Sequence, residues 1–315
     1  MTTVTGTDVA QAARLLEQGA VVAIPTETVY GLAADAFNEE AVLTIFTVKQ
    51  RPAFDPLIVH VRDRAQLDRV AVVPPQAEVL IDRFWPGPLT LVLPKRPAVP
   101  DLVTSGLDTV AVRMPAHTMT RALLDAVDTP LAAPSANPFG YVSPTTAGHV
   151  QDQLGGRIPY ILDGGACAVG VESTILGWQQ ERWVLFRPGG APVEAIEAVV
   201  GPLHVAADSA RPQAPGMLES HYAPRKPVHV GDVEALLRRF AGRAVGVISF
   251  RTEHAAHRCE VLSPEGDLAV AARHLFAVLR ELDASDCQVI VAERFPEEGL
   301  GRAMNDRLRR AAARR

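Results

Sequence analysis

Cysteine is scarce: Cys167, Cys259 and Cys287 are the only 3 in 315 residues, and they stand far apart. That spacing excludes a disulfide framework and a paired-cysteine zinc site, and it suits reduced thiols in a cytoplasmic protein. Aromatic residues make up only 5% of the chain, and 31 Lys+Arg against 36 Asp+Glu leave a net charge of −5. This balance lacks the global basic signal and the interleaved aromatics of a general nucleic-acid binder. No apolar run approaches the roughly 20 residues that span a bilayer, so no membrane segment is expected. The start, MTTVTGTDVAQAARLLEQG, is polar and amphipathic rather than signal-peptide-like. H-E-x-x-H, G-x-S-x-G and G-x-x-x-x-G-K-[ST] are also missing, and with them the usual marks of a zinc hydrolase, a serine esterase and a P-loop ATPase.

What is present is enough apolar material, 48% of residues, for two cores, and the length favours two domains. Strand-like runs recur at 20–24, 57–61, 89–93, 109–113, 130–133, 159–162, 173–176 and 183–186. Helical patterns fall at 8–18, 39–48, 75–84, 117–127, 144–154 and 192–200, with Thr7 and Ser143 as expected caps. Residues 202–226 are rich in proline, alanine and polar side chains without either period and read as a linker. Alternation resumes with strands at 227–230, 244–249 and 288–292 and helices at 232–240, 267–282 and 300–313, the pattern of a small Rossmann-like unit. No G-x-G-x-x-G follows its first strand, so no dinucleotide site is expected there. The fold class is α/β, with domains at 1–201 and 227–315.

The densest chemistry lies at 25–35, where Thr26-Glu27-Thr28 follows a buried strand and Gly31 permits a turn or a close approach. A capped turn without ligand would explain that segment alone. Further on, Lys49 and Arg51 flank a proline-containing turn beside a second buried strand ending in His60. Cations and a histidine beside such a turn suit an anionic ligand: a nucleotide, a phosphate or an amino-acid carboxylate. Read alone, His60 suits a core histidine bonded to backbone, and Arg113, leaving strand 109–113, suits either a carboxylate grip or a structural ion pair. A set rich in threonine, serine, lysine and arginine binds anions and stabilises charge without supplying an obvious nucleophile, which is nearly all that adenylate formation needs.

The ordered motifs PTETVYGLAADA (25–36), KQRP (49–52), DPLIVH (55–60), FWPGPLTLVL (84–93), TVAVRMPAH (109–117) and APSAN (133–137) continue through SPTTA (143–147), DGG (163–165), ESTI (172–175), RPGG (187–190), PGM (215–217) and HYAP (221–224). In this order the chain resembles the threonylcarbamoyl-AMP synthases in their long, two-domain form. The resemblance implies a YrdC-like twisted mixed sheet with helices, a linker closing over the active site, and a smaller C-terminal Rossmann-like domain. It implies that L-threonine, bicarbonate or CO₂, and ATP, with Mg²⁺ on its phosphates, yield threonylcarbamoyl-AMP and pyrophosphate. Downstream threonylcarbamoyl-transfer proteins would then use the product to modify tRNA; direct contact with tRNA is left open.

Residue by residue, the resemblance implies a threonine side of Thr28, His60, Arg113, Ala133 and Ser173. It implies an ATP side of Arg51, Asp55, Thr109, Ser135, Ser143, Arg187 and Tyr222, with Lys49 and Arg51 acting on the transition state. No metal ligand from the protein is implied. Three positions depart from the family pattern: Asp55 stands where asparagine is usual, Pro138-Phe139-Gly140 replaces Ser-Gly, and Leu218-Glu219-Ser220 replaces a lysine-bearing stretch. Alternative readings are a carbamoyl-transfer enzyme, whose extra catalytic domains have no counterpart after 227, and a non-catalytic RNA-binding module. As apparent helix-end cations, Lys49 and Arg51 are expected to matter little for folding.

Overall fold

The computed structural model describes residues 1–206, 213–218 and 221–313. Eleven strands form the first sheet: β1 (Val4–Gly6), β2 (Val22–Ile24), β3 (Gly31–Asp35), β4 (Ile58–His60), β5 (Leu89–Pro94), β6 (Thr109–Arg113), β7 (Leu131–Ala132), β8 (Tyr160–Leu162), β9 (Thr174–Gln179), β10 (Arg182–Arg187) and β11 (His204–Val205). Their order is β1-β8-β2-β3-β7-β4-β6-β5-β9-β10-β11, with parallel and antiparallel neighbours mixed. Helices α1 (Val9–Glu17), α2 (Glu39–Lys49), α3 (Arg64–Val70), α4 (Pro75–Phe84), α5 (Asp101–Thr104), α6 (Thr118–Ala126), α7 (Ala147–Leu154) and α8 (Val193–Val200) lie between the strands.

Alternation along the central strands places the site. Val59, Leu91 and Val112 join the main core with Leu32 and Ile45. Their neighbours Ile58, Val92 and Ala111 turn to the other face, where Ala214 and the half-buried Met217 of the connecting segment cover them. The cleft lies on this second face, beneath the connector. On β4 and β6, His60 pairs with Arg113 at the strand ends.

The C-terminal unit is a parallel sheet of β12 (Val228–Val230), β13 (Val245–Ser249), β14 (Arg258–Val261) and β15 (Val289–Ala292), in the order β12-β15-β13-β14. Helices α9 (Val233–Arg239), α10 (Leu268–Ala284) and α11 (Leu300–Ala312) flank it. It shares a core with the first unit: Val29, Val142 and Val171 pack in one cluster with Tyr222, Phe276 and Met304. No helix among the described residues is long and apolar enough to cross a membrane.

Several details differ from the sequence expectation. Gly31–Asp35, outside the expected strand runs, is a strand; it returns antiparallel to β2, so Thr-Glu-Thr is the hairpin connection. Gly31 serves close approach, since a Cβ there would sit 3.2 Å from the Ala133 Cβ. Asp8, rather than Thr7, caps α1 by accepting from the Gln11 N–H, and Thr146, rather than Ser143, caps α7. His204–Val205, inside the expected linker, pairs with β10. Residues 207–212 and 219–220 of that linker, with Pro212, Glu219 and Ser220, lie outside the described residues.

Candidate active site

One cavity collects most of the expected residues. Thr28, His60, Arg113, Ala133 and Ser173 line it together with Arg51, Ser135, Arg187 and Tyr222. Lys49, Asp55, Thr109 and Ser143 are not in its lining. Thr109 opens β6, at the opposite end of the strand from Arg113. Ser143 is fully buried and donates to Glu172 Oε1 at 2.5 Å.

Arg113 anchors one end. Its Nε donates to the Gly87 carbonyl at 3.1 Å and its Nη1 to Thr28 Oγ1 at 2.8 Å. Its Nη2 lies 2.5 Å from Glu27 Oε1 as an ion pair. Burial would raise the Glu27 pKa, but Arg113 outweighs it and holds the carboxyl below its ordinary range. The Thr26 hydroxyl fixes the turn, donating to the Val29 carbonyl at 2.6 Å and accepting from the Thr28 and Val29 N–H groups.

His60 is 3% exposed, and its Nδ1 has no hydrogen-bond partner among the described residues. Burial, reinforced by the Arg113 charge, pushes its pKa down to about 3. The ring is therefore neutral and able to bond a polar ligand without titrating near neutrality. The linkage follows from the sign: between pH about 3 and about 6.5 the unfolded chain binds the proton and the folded chain does not. Stability should fall as pH drops through that window. Urea unfolding at several pH values should show His60→Asn losing part of this dependence; an unchanged slope would count against a neutral buried His60.

The other end holds cations against carbonyls. Lys49 is 1% exposed; its Nζ donates to the Ser135 carbonyl at 2.5 Å and to the Asn137 carbonyl. Burial, then the neighbouring Arg51 charge, drives its pKa well below the ordinary lysine value. Arg51 donates to the Asp55 and Pro56 carbonyls at 3.1 and 2.8 Å and pairs with Asp55 Oδ2 at 2.9 Å. The expectation that these two are surface charges is therefore wrong: α2 ends inside the protein, and the left-handed Gln50 turns both side chains inward. Asp55 is fully buried, and burial raises its pKa despite Arg51. Arg187 grips the Ser173 carbonyl with Nε and Nη2 at 3.1 and 3.0 Å and the Pro215 carbonyl with Nη1 at 3.1 Å.

The connector closes the cavity. Tyr222, in a left-handed conformation (φ 61°), and His221 enter it with Pro215 and Gly216. Gly216 has φ 77°, and a Cβ there would lie 2.6 Å from the Tyr222 hydroxyl and 2.8 Å from Arg187 Nη1. Tyr222 stacks on Phe276 with centroids 5.7 Å apart. About 50 Å³ remains inside, room for a water or two.

Sequence reasoning passed over Glu172, Arg307 and the hydroxyl pair Thr90–Ser173 (2.7 Å). Glu172 stands beside Ser173 inside a quoted motif, which was a usable signal; Arg307 sits in an Arg/Ala-rich helix where composition says nothing. The Thr26 and Thr28 hydroxyls bond each other, a carbonyl or arginine, and Ser173 bonds Thr90 and Arg187. None of these bonds activates a nucleophile. The arrangement gathers cationic and polar side chains around one cavity, a set suited to anionic groups.

A family model for Sua5, YciO and YrdC, described as "Telomere recombination", matches residues 14–189, and a model for the C-terminal domain of threonylcarbamoyl-AMP synthase matches residues 191–313. The threonylcarbamoyl-AMP synthase of Pyrococcus abyssi is 45% identical, covering 96% of this chain and 93% of its own length. That of Bacillus subtilis is 44% identical over 96% and 92%. The crystal structure of P. abyssi Sua5 complexed with L-threonine superposes with a TM-score of 0.93 at 43% identity, covering 99% of this chain and 97% of that one. A full-length HypF structure in the phosphate- and nucleotide-bound form superposes with a TM-score of 0.53 at 21% identity, covering 59% of this chain and 30% of that one, a likeness of fold alone. With the motifs, the two-sheet architecture and the cavity in agreement, the chain belongs to the Sua5 family of two-domain threonylcarbamoyl-AMP synthases.

Proposed function

We propose that this enzyme makes L-threonylcarbamoyladenylate from L-threonine, bicarbonate or CO₂ and ATP, with release of pyrophosphate, as a nucleotidyltransferase serving threonylcarbamoyladenosine modification of tRNA in the cytoplasm. The observation that carries this reading is that Arg113, Thr28 and His60 share one cavity with Arg51, Ser135 and Arg187. An amino-acid carboxylate fits the first group and a polyphosphate the second. The threonine carboxylate would be drawn to the Arg113 guanidinium, with the Thr28 hydroxyl and the neutral His60 ring completing the polar contacts. The threonine amine, once carboxylated, becomes a carbamate whose oxygen attacks the α-phosphorus in line; the α–β phosphoanhydride bond breaks and pyrophosphate leaves. Arg51 and Arg187, with the buried Lys49 amine behind them, stabilise the charge that develops on the phosphate oxygens.

Mg²⁺ is expected on ATP. Asp55 is paired with Arg51, and both Glu172 oxygens are taken by Ser143 and Arg307. These acidic groups do not fit a protein-held Mg²⁺, which would come bound to the phosphates instead. The connector would close over the nucleotide, with Tyr222 against it, and exclude water from a hydrolysable adenylate. Transfer of the threonylcarbamoyl group to tRNA would fall to separate proteins. The assay that tests the reading is pyrophosphate release from ATP: it should require both threonine and bicarbonate, and release that ignores either would refute it.

A further inference from the structure

The last helix of the C-terminal unit packs behind the cleft of the first, against residues that line it. Arg307 on α11 is 0% exposed, yet it is ionic. Its Nε donates to Glu172 Oε2 at 2.7 Å, and its Nη1 donates to the Pro188 carbonyl at 3.0 Å and to Asp306 Oδ2 at 2.8 Å. Its guanidinium carbon stands 5.1 Å from the centre of the Tyr222 ring, and its Nη2 has no hydrogen-bond partner among the described residues. One turn on, Arg310 Nη1 donates to the Leu218 carbonyl, and the Arg310 carbonyl accepts the His221 N–H at 3.4 Å.

Docking two domains does not call for this. The shared core already holds Val142, Phe276 and Met304, and a buried ion pair is often no better for stability than apolar residues of the same volume. What the pair adds is direction. Glu172 precedes Ser173, whose carbonyl takes two N–H groups of Arg187. Arg307 thus touches both walls of the cation-rich end: Glu172 on one, Tyr222 on the other.

We infer that Arg307 is a positioning residue for the nucleotide: from the C-terminal unit it sets Glu172 and Tyr222, and through them the closed arrangement around Arg187. This rests on the proposed reaction. The full-length chain is assayed by pyrophosphate release with threonine, bicarbonate and ATP. A wild-type chain that does not turn over refutes the reaction itself; everything below applies to an active wild type. Arg307→Lys keeps the charge facing Glu172 and Asp306 but loses the fork. It should raise the ATP KM about tenfold or more, while threonine affinity without ATP stays within about twofold. Arg307→Met should lose more, and adding Glu172→Gln should return part of the loss because no stranded carboxylate remains. A purely structural role would lower the melting temperature and leave the kinetics per folded molecule unchanged. That result, or equal losses toward ATP and threonine, overturns the inference. If the Met variant does not fold, the Lys variant decides alone.

Discussion

Lysine in place of Arg113 should weaken threonine binding by about 1.5–3 kcal/mol, the scale of hydrogen bonds to charged groups. Lysine keeps the charge beside Glu27, so the buried carboxylate is not stranded. It cannot reproduce three nitrogens that meet the Gly87 carbonyl, the Thr28 hydroxyl and Glu27 at once. Those fixed contacts aim the guanidinium before any ligand arrives, and fixed direction lowers the ordering cost of binding. Calorimetry with threonine alone isolates the step from ATP chemistry. An affinity equal to wild type would remove Arg113 from the carboxylate site.

Methionine in place of Lys49 should cut turnover by about 10²-fold or more, the scale of losing a preorganised donor, because the Lys49 amine holds the carbonyl of Ser135 in the cavity wall. It should also destabilise the fold, by about 1–3 kcal/mol for each buried acceptor left bare, because the Ser135 and Asn137 carbonyls lose their donor. Arg51→Met should cost more stability, about 3–5 kcal/mol, since it strands the buried Asp55. The two losses are separable: melting temperature reports the second, and turnover per folded molecule the first. Unchanged turnover in a destabilised Lys49→Met protein would make Lys49 a structural tie between α2 and the 133–137 loop.

Much of the fold was legible because its strands are short apolar runs bounded by turns. Strand 109–113 and helix 75–84 sit where their patterns place them. Strand β3 escaped because its residues, Gly-Leu-Ala-Ala-Asp, carry neither β-branching nor alternation; it is held by pairing with β2 and β7. The gathering of Thr28, His60 and Arg113 in one cavity was readable, since the last two end neighbouring strands and Thr28 lies in the connection beside them. The depth of Lys49 and Arg51 was not. A lysine at a helix end followed by proline looks solvated, and only the left-handed Gln50 and the 133–137 loop bury it. Asp55 shows the same limit: its partner Arg51 lies four residues away, yet the pair's full burial is a tertiary fact. Arg307 is the extreme case, because its partner Glu172 is 135 positions distant.

The most direct test of the account is the fate of carbon-labelled bicarbonate. Incubated with the protein, L-threonine and ATP, the label should appear in an adenylate that carries the threonine mass, formed in step with pyrophosphate and lost when threonine is omitted. An adenylate without the label, or ATP split to ADP and phosphate at the same rate with and without threonine, would contradict it.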